Sequence, residues 1–239
     1  MVQTRPQKTF VLVHGAWHGG WCWRRVSDLL ERGGHKVFAP TLTGLGERSH
    51  LLHPNVDLAT HISDIVNVIR WEGLHDIVLV GHSYGGLVIS GVVEELHQSI
   101  ASLVFLDAFV PQSGDSMASI GSERVRETIG KLLPLGETSV KPFPAAVFRV
   151  NGEDQAWVDA MCTPHPLATF TSPTTLTGAR ERIGKKIYIR AKGYPSIPFD
   201  GFYETLRMEP GWQAYELPCG HDAMIDMPQR LAEILVEVS

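Results

Sequence analysis

Six short, continuously apolar runs recur along the chain: Phe10 to Ala16, Lys36 to Leu42, Ile77 to Ser83, Ser102 to Phe109, Lys185 to Ala191 and Trp212 to Pro218. Runs of this length without polar alternation suit strands buried on both faces of a parallel sheet. Between them the spacing becomes helical. Trp23, Val26, Leu29 and Leu30 share one helical face that stops at Gly33-Gly34, and Leu58, Ile62, Ile65 and Ile69 share another whose start fits Asp57 as an N-cap. A last helix is expected from DMPQ onward, with Asp226 and Gln229 at capping-box spacing around Pro228. Strands and helices in alternation predict an α/β fold with right-handed crossovers. The rhythm breaks between about Ser113 and Gly184, where prolines and the large side chains Phe143, Phe148, Trp157, Met161 and Phe170 make an apolar but irregular insertion. It is expected to fold as a cap over the sheet edge of a single domain spanning residues 1–239.

Composition narrows the function classes. A chain of 239 residues with 44% hydrophobic content can bury a full core. A net charge of -5, without any block of like charge, gives no footprint for nucleic acid or an anionic membrane surface. No apolar span is long enough for a membrane helix. Cys22, Cys162 and Cys219 are odd in number and widely spaced, which argues against a disulfide framework and a compact cysteine metal site. The start, MVQTRPQKTF, lacks the basic then long apolar pattern of a signal peptide. A cytoplasmic setting is expected, with no metal and no cofactor.

The chemistry gathers where strands should end. Gly81-His82-Ser83-Tyr84-Gly85 is a G-x-S-x-G motif directly after the run IVLV and before the helical GGLVISGVVEEL, the context of a nucleophile elbow. A serine hydroxyl needs a base within hydrogen-bond reach and a group that orients the base. Of eleven histidines, His221 in ELPCGHDAMIDMP follows the last strand, which places it on the carboxyl edge shared with Ser83. His14 and His18, after the first strand, read as structural or pocket-lining. Two acids compete for the third place: Asp107, which interrupts the apolar LVFLDAFVP, and Asp200, in the proline-containing loop after the fifth strand. Burial favours Asp107, because an unpaired carboxylate there would be costly. Oxyanion donors are expected at the backbone N–H groups of Ala16 and Tyr84. Trp17, Trp157, Met161 and Phe170 are candidates for the substrate-binding wall.

The segments VHGAWHGGWCW, GHSYGG, LDAFVP and GHDAM together resemble the α/β-hydrolase superfamily, in the branch of plant methylesterases, salicylate-binding esterases, hydroxynitrile lyases and related bacterial carboxylesterases. The resemblance spans nearly the whole chain and is weakest in the cap. It implies a six-stranded, mostly parallel core, a small cap, no cofactor and hydrolysis of a small, apolar carboxylic ester. Two departures stand out. Many members of the branch carry the acid immediately after the strand matching KKIYIRA, where this chain has KGYPSIP. Other α/β-hydrolases carry it one strand earlier, at the position of Asp107. The related lyases have a threonine and a lysine where this chain has Gly15 and Asp222, so the resemblance points to an esterase rather than a lyase. A receptor-like hydrolase with little turnover is the other alternative. The expected partner is a small-molecule ester, with a homodimer left open.

Overall fold

The computed structural model describes residues 6–239, so the first five residues of the amino-terminal reading lie outside it. Six strands make one sheet: β1 (Thr9–Val13), β2 (Lys36–Phe38), β3 (Ile77–His82), β4 (Ile100–Leu106), β7 (Lys185–Ala191) and β8 (Trp212–Leu217). Their order is β2-β1-β3-β4-β7-β8 with every pairing parallel. The strand order reverses at β1, the switch point where doubly wound sheets place their sites. β3 is buried at every position, as its unbroken apolar run requires of a central strand. The edge strand β8 is instead partly or fully exposed until its last residue, the buried Leu217. β2 stops at Phe38, short of the expected Leu42, because Pro40 has no N–H for the ladder.

Helices α1 (Arg24–Arg32), α2 (Leu58–Trp71) and α3 (Gly85–Leu96) cross between the first strands. α1 ends at Gly33, followed by Gly34 at a φ of 84°. α2 starts on a full capping box: Asp57 accepts the Thr60 N–H, and the Thr60 hydroxyl lies against the Asp57 N–H. After β7 come α8 (Ile197–Leu206), β8, the short α9 (Ala223–Asp226) and α10 (Pro228–Glu237). α10 departs from the expected capping box. Asp226 accepts instead from Gly220 N, Asn151 N and Asn151 Nδ2, and Pro228 opens the helix without a side-chain cap.

Between the neighbouring strands β4 and β7 the chain leaves the sheet. The excursion contains α4 (Met117–Ile120), α5 (Glu123–Leu132), α6 (Gln155–Met161), α7 (Leu167–Thr171) and a two-stranded antiparallel ribbon, β5 (Ser139–Val140) with β6 (His165–Pro166). Trp17 fastens it to the sheet edge: its carbonyl accepts from Thr163 N (2.9 Å) and its indole N–H donates to Val140 O (3.0 Å).

Candidate active site

β3 and β4 end in the same way. Ser83 N–H donates to Leu106 O (3.2 Å) and Asp107 N–H to Ile189 O (2.7 Å), each extending the ladder by one residue. Both residues then break away at positive φ, 53° and 42°. That conformation costs a side-chain-bearing residue of order 1–3 kcal/mol, so its surroundings must impose it. At Ser83 the carbonyl accepts from both Gly86 N (3.1 Å) and Phe109 N (3.2 Å). The turn leaves no room for larger neighbours: a Cβ on Gly85 would lie 2.9 Å from Val13 O, and one on Gly81 would lie 2.7 Å from Gly85 O.

Asp107 is fully buried and fully engaged. Its Oδ1 accepts from Arg190 Nη1 (2.7 Å) and Ala191 N (3.1 Å), and its Oδ2 accepts from His221 Nδ1 (2.7 Å). Donation from Nδ1 leaves Nε2 as the free nitrogen of the neutral ring. The imidazole is held between aromatic faces, parallel to Phe199 (5.4 Å, 12°) and close to Tyr194 (4.8 Å). Its backbone N–H donates to Phe148 O (2.9 Å), which ties the cap to this loop as well.

Asp200 lies in the first turn of α8 rather than in a loop, and its side chain is 46% exposed. It binds Arg190 Nε (3.0 Å) and lies 3.7 Å from Lys192 Nζ. Partial burial opposes its ionisation, but the Arg190 hydrogen bond and charge outweigh this and hold the carboxyl below the usual carboxylate range. Arg190 therefore touches both competing acids. Among the described residues only Asp107 of the two contacts His221.

Ser83 and His221 line one cleft of about 240 Å³, whose walls include Trp17, Phe109, Phe143, Phe148, Tyr194 and Phe199. No hydrogen bond among the described residues joins the Ser83 hydroxyl to the ring; contacts of this kind often tighten only with substrate in place. The N–H groups of Ala16 and Tyr84 have no protein acceptor among the described residues.

The other expected wall residues lie elsewhere. Trp157 is 36% exposed, edge-on to Trp21 and beneath the Arg25 guanidinium, and Met161 is 37% exposed on α6. Phe170 is buried against His165 (4.4 Å) and Trp17 (5.8 Å) without reaching the cleft. Hydrophobicity in the cap signalled burial but not direction. The sequence reading does not single out the walls Phe109, Phe148, Tyr194 and Phe199 as substrate contacts, nor Arg190, whose signal is a charge at the far end of the strand KKIYIRA.

Of the other buried histidines, His14, His61 and His165 have both ring nitrogens occupied. His14 donates from Nδ1 to Gly15 O and accepts Leu42 N–H at Nε2, and burial lowers its pKa to about 3. His61 donates to Thr43 O and accepts the Tyr84 hydroxyl, with its pKa lowered to about 4 by burial. His165 accepts Trp17 N–H and donates to Thr169 Oγ1. His82, His221 and Asp222 could offer ligand atoms within 4.8 Å of one another. One nitrogen of each ring is committed, His82 Nε2 to His221 O (3.1 Å) and His221 Nδ1 to Asp107, while His82 Nδ1 is buried without a hydrogen-bond partner among the described residues.

The comparisons with known proteins agree with this architecture. The carbendazim hydrolyzing esterase of Nocardioides sp. (strain SG-4G) is 43% identical over 95% of this chain and 97% of its own length. Salicylic acid-binding protein 2 of Nicotiana tabacum is 28% identical over 97% of both chains. Among solved structures, an extracellular α/β-hydrolase from a Paenibacillus species, described as a structural and functional homologue of the tobacco protein, superposes with a TM-score of 0.84. It is 26% identical over 97% of this chain and 99% of its own. The model of the alpha/beta hydrolase family matches residues 10–234. With a six-stranded parallel sheet, an elbow at Ser83 and a match of that length, the chain belongs to the α/β-hydrolase family and is an esterase.

Proposed function

We propose that the chain is a serine carboxylesterase acting on a small, apolar ester. The observation that carries this reading is the bond from His221 Nδ1 to the buried Asp107, which leaves Nε2 free in an aromatic cleft that Ser83 also lines. Ser83 Oγ attacks the ester carbonyl and its proton passes to His221 Nε2. Asp107 holds the ring orientation and stabilises the imidazolium that forms. The Ala16 and Tyr84 N–H groups face the developing oxyanion, each worth roughly 3–4 kcal/mol in sites of this type. His221 returns the proton to the leaving alcohol, and water cleaves the acyl-enzyme by the reverse sequence.

The cleft volume of about 240 Å³ falls below the roughly 300–1,000 Å³ of sites for drug-sized ligands, and four phenylalanines stand in its walls beside the polar Ser122, Arg124 and Ser196. Both features favour a compact apolar substrate. The 43% identical relative is named for carbendazim hydrolysis, which makes that compound the first member of a test panel. Lyase chemistry is disfavoured: a Cβ at Gly15 would lie 2.8 Å from His82 Nδ1, so a threonine does not fit there. The free state of Cys22, Cys162 and Cys219 suits a reducing, cytoplasmic setting.

A serine-directed fluorophosphonate tests the reading against a receptor with little turnover. Stoichiometric labelling of the Ser83 peptide is expected, lost in His221→Ala. Absence of labelling in the parent protein would overturn the assignment.

A further inference from the structure

A second buried carboxylate stands next to the candidate base. His18 is 2% exposed and Asp222 is fully buried. His18 Nδ1 lies 2.8 Å from Ala16 O, and His18 Nε2 lies 3.0 Å from Asp222 Oδ2. A carbonyl and an ionised carboxylate can only accept, so both ring nitrogens must donate, and a histidine with two donors is an imidazolium. The Trp21 indole stacks on the ring at 5.2 Å and 18°, a cation–π arrangement.

The titratable groups around the pair are His221, whose positive form also favours an ionised Asp222, and the buried His82, His14, His165, Cys22 and Cys162. His82 is edge-on to His18 at 6.1 Å and its Nε2 is 3.7 Å from Asp222 Oδ1, but burial holds it well below the usual histidine range and therefore neutral. His14 is neutral for the same reason. Burial also pushes the nearby Cys22 and Cys162 thiols upward, so they are uncharged. Burial opposes charge on His18 and on Asp222 alike, yet their mutual attraction outweighs it, raising the one and lowering the other.

The covalent context gives the pair a purpose. Ala16 carries the expected oxyanion donor on its N–H and the His18 contact on its carbonyl, while Asp222 is peptide-bonded to His221. We propose that His18, as an imidazolium on Asp222 at neutral pH, is a positioning residue that fixes the oxyanion loop relative to His221. We further propose that loss of its proton limits activity on the alkaline side.

A neutral His18 can donate from one nitrogen only, which strands either Ala16 O or the Asp222 carboxylate as a buried acceptor. The direction follows from linkage. With its folded pKa raised, His18 contributes fully below its unfolded value near 6.5 and loses that contribution as pH rises through the folded value. Asp222, with its folded pKa depressed, contributes above about 3.8 and loses this only as pH falls through its own folded value. The strut therefore holds at neutral pH and fails first on the alkaline side.

The catalytic half of this proposal rests on the ester-hydrolase reading above; the protonation half does not. Ring-nitrogen NMR of the full-length protein near pH ~7 is expected to show both His18 nitrogens protonated, and a neutral tautomer would overturn the proposal whatever the activity. In Asp222→Asn the amide can donate to His18 Nε2 while Nδ1–H stays on Ala16 O, so a neutral ring keeps both contacts. Relative to that variant's own plateau, the alkaline limb of kcat is expected to move up by about one pH unit or more. An unmoved limb would overturn the proposal. His18→Phe is expected to lower kcat on the order of 10²-fold with a smaller change in KM, and an undiminished kcat would count equally against it. Failure of Ser83 labelling in the parent protein would instead sink the esterase reading and leave the NMR result standing.

Discussion

Asp107 receives three donors on two oxygens, and they are not equivalent. Arg190 Nη1 and Ala191 N neutralise and orient the carboxylate, while His221 Nδ1 alone connects it to the cleft. An amide at this position cannot accept from all three, because its nitrogen must face a donor. Asp107→Asn should therefore leave His221 in the wrong tautomer and lower kcat by about 10³–10⁴ on an activated ester. Asp200 contacts Arg190 from the half-exposed side, where screening is strong, so Asp200→Asn should reduce kcat/KM by less than about 10-fold. The reverse ranking in steady-state kinetics would reassign the acid. In the sequence Ser83 is marked by the elbow motif, Asp107 by its interruption of an apolar run and His221 by the loop after the last strand. The His18–Asp222 pair is not marked, because its members are 204 positions apart and a contact between two loops leaves no periodic trace.

At the scale of elements, the strands and long helices follow their patterns because a central parallel strand or an amphipathic helix must repeat its burial many times. The cap does not. Its helices run four to ten residues and its ribbon has two residues per strand, so few positions repeat and the facing of Trp157 or Met161 cannot be read from spacing. The helix starts show the same contrast. Asp57 sits ahead of α2 with Thr60 at the third position and caps it, whereas Asp226 has the same apparent spacing but spends its oxygens on Gly220 and Asn151. Asp57→Ala should cost about 0.5–2 kcal/mol. For a chain of this size each kcal/mol corresponds to roughly 2–4 °C in the thermal midpoint, which calorimetry would resolve. An unchanged midpoint would mean that α2 is held by packing alone.

At the scale of the whole molecule, four buried histidines among the described residues have pKa values that burial lowers: His14, His61, His82 and His165. Each is neutral when folded and takes a proton when unfolded below about pH 6.5, so the unfolded state binds more protons and stability falls as pH falls. Each group can contribute up to about 1.4 kcal/mol per pH unit. His18 has the opposite sign and acts above its unfolded value, where stability is lost as pH rises. Thermal midpoints measured across the pH range should pass through a maximum near neutrality and fall more steeply on the acid side. A flat acid limb would show that these histidines ionise in place.

Of the five non-glycine residues at positive φ among the described residues, Trp17, Ser83 and Asp107 follow the ends of β1, β3 and β4, and Arg149 follows the cleft-lining Phe148. Asp76, just before β3, is the exception. The backbone load of this molecule is concentrated where its candidate chemistry is. For laboratory evolution this separates two goals that are often pursued together. Heat selection alone would reward relaxation along this edge, Ser83→Gly first, and would enrich robust proteins without a nucleophile. Durable variants that still turn over substrate have to be sought at the opposite end of the strands and on the outer helices.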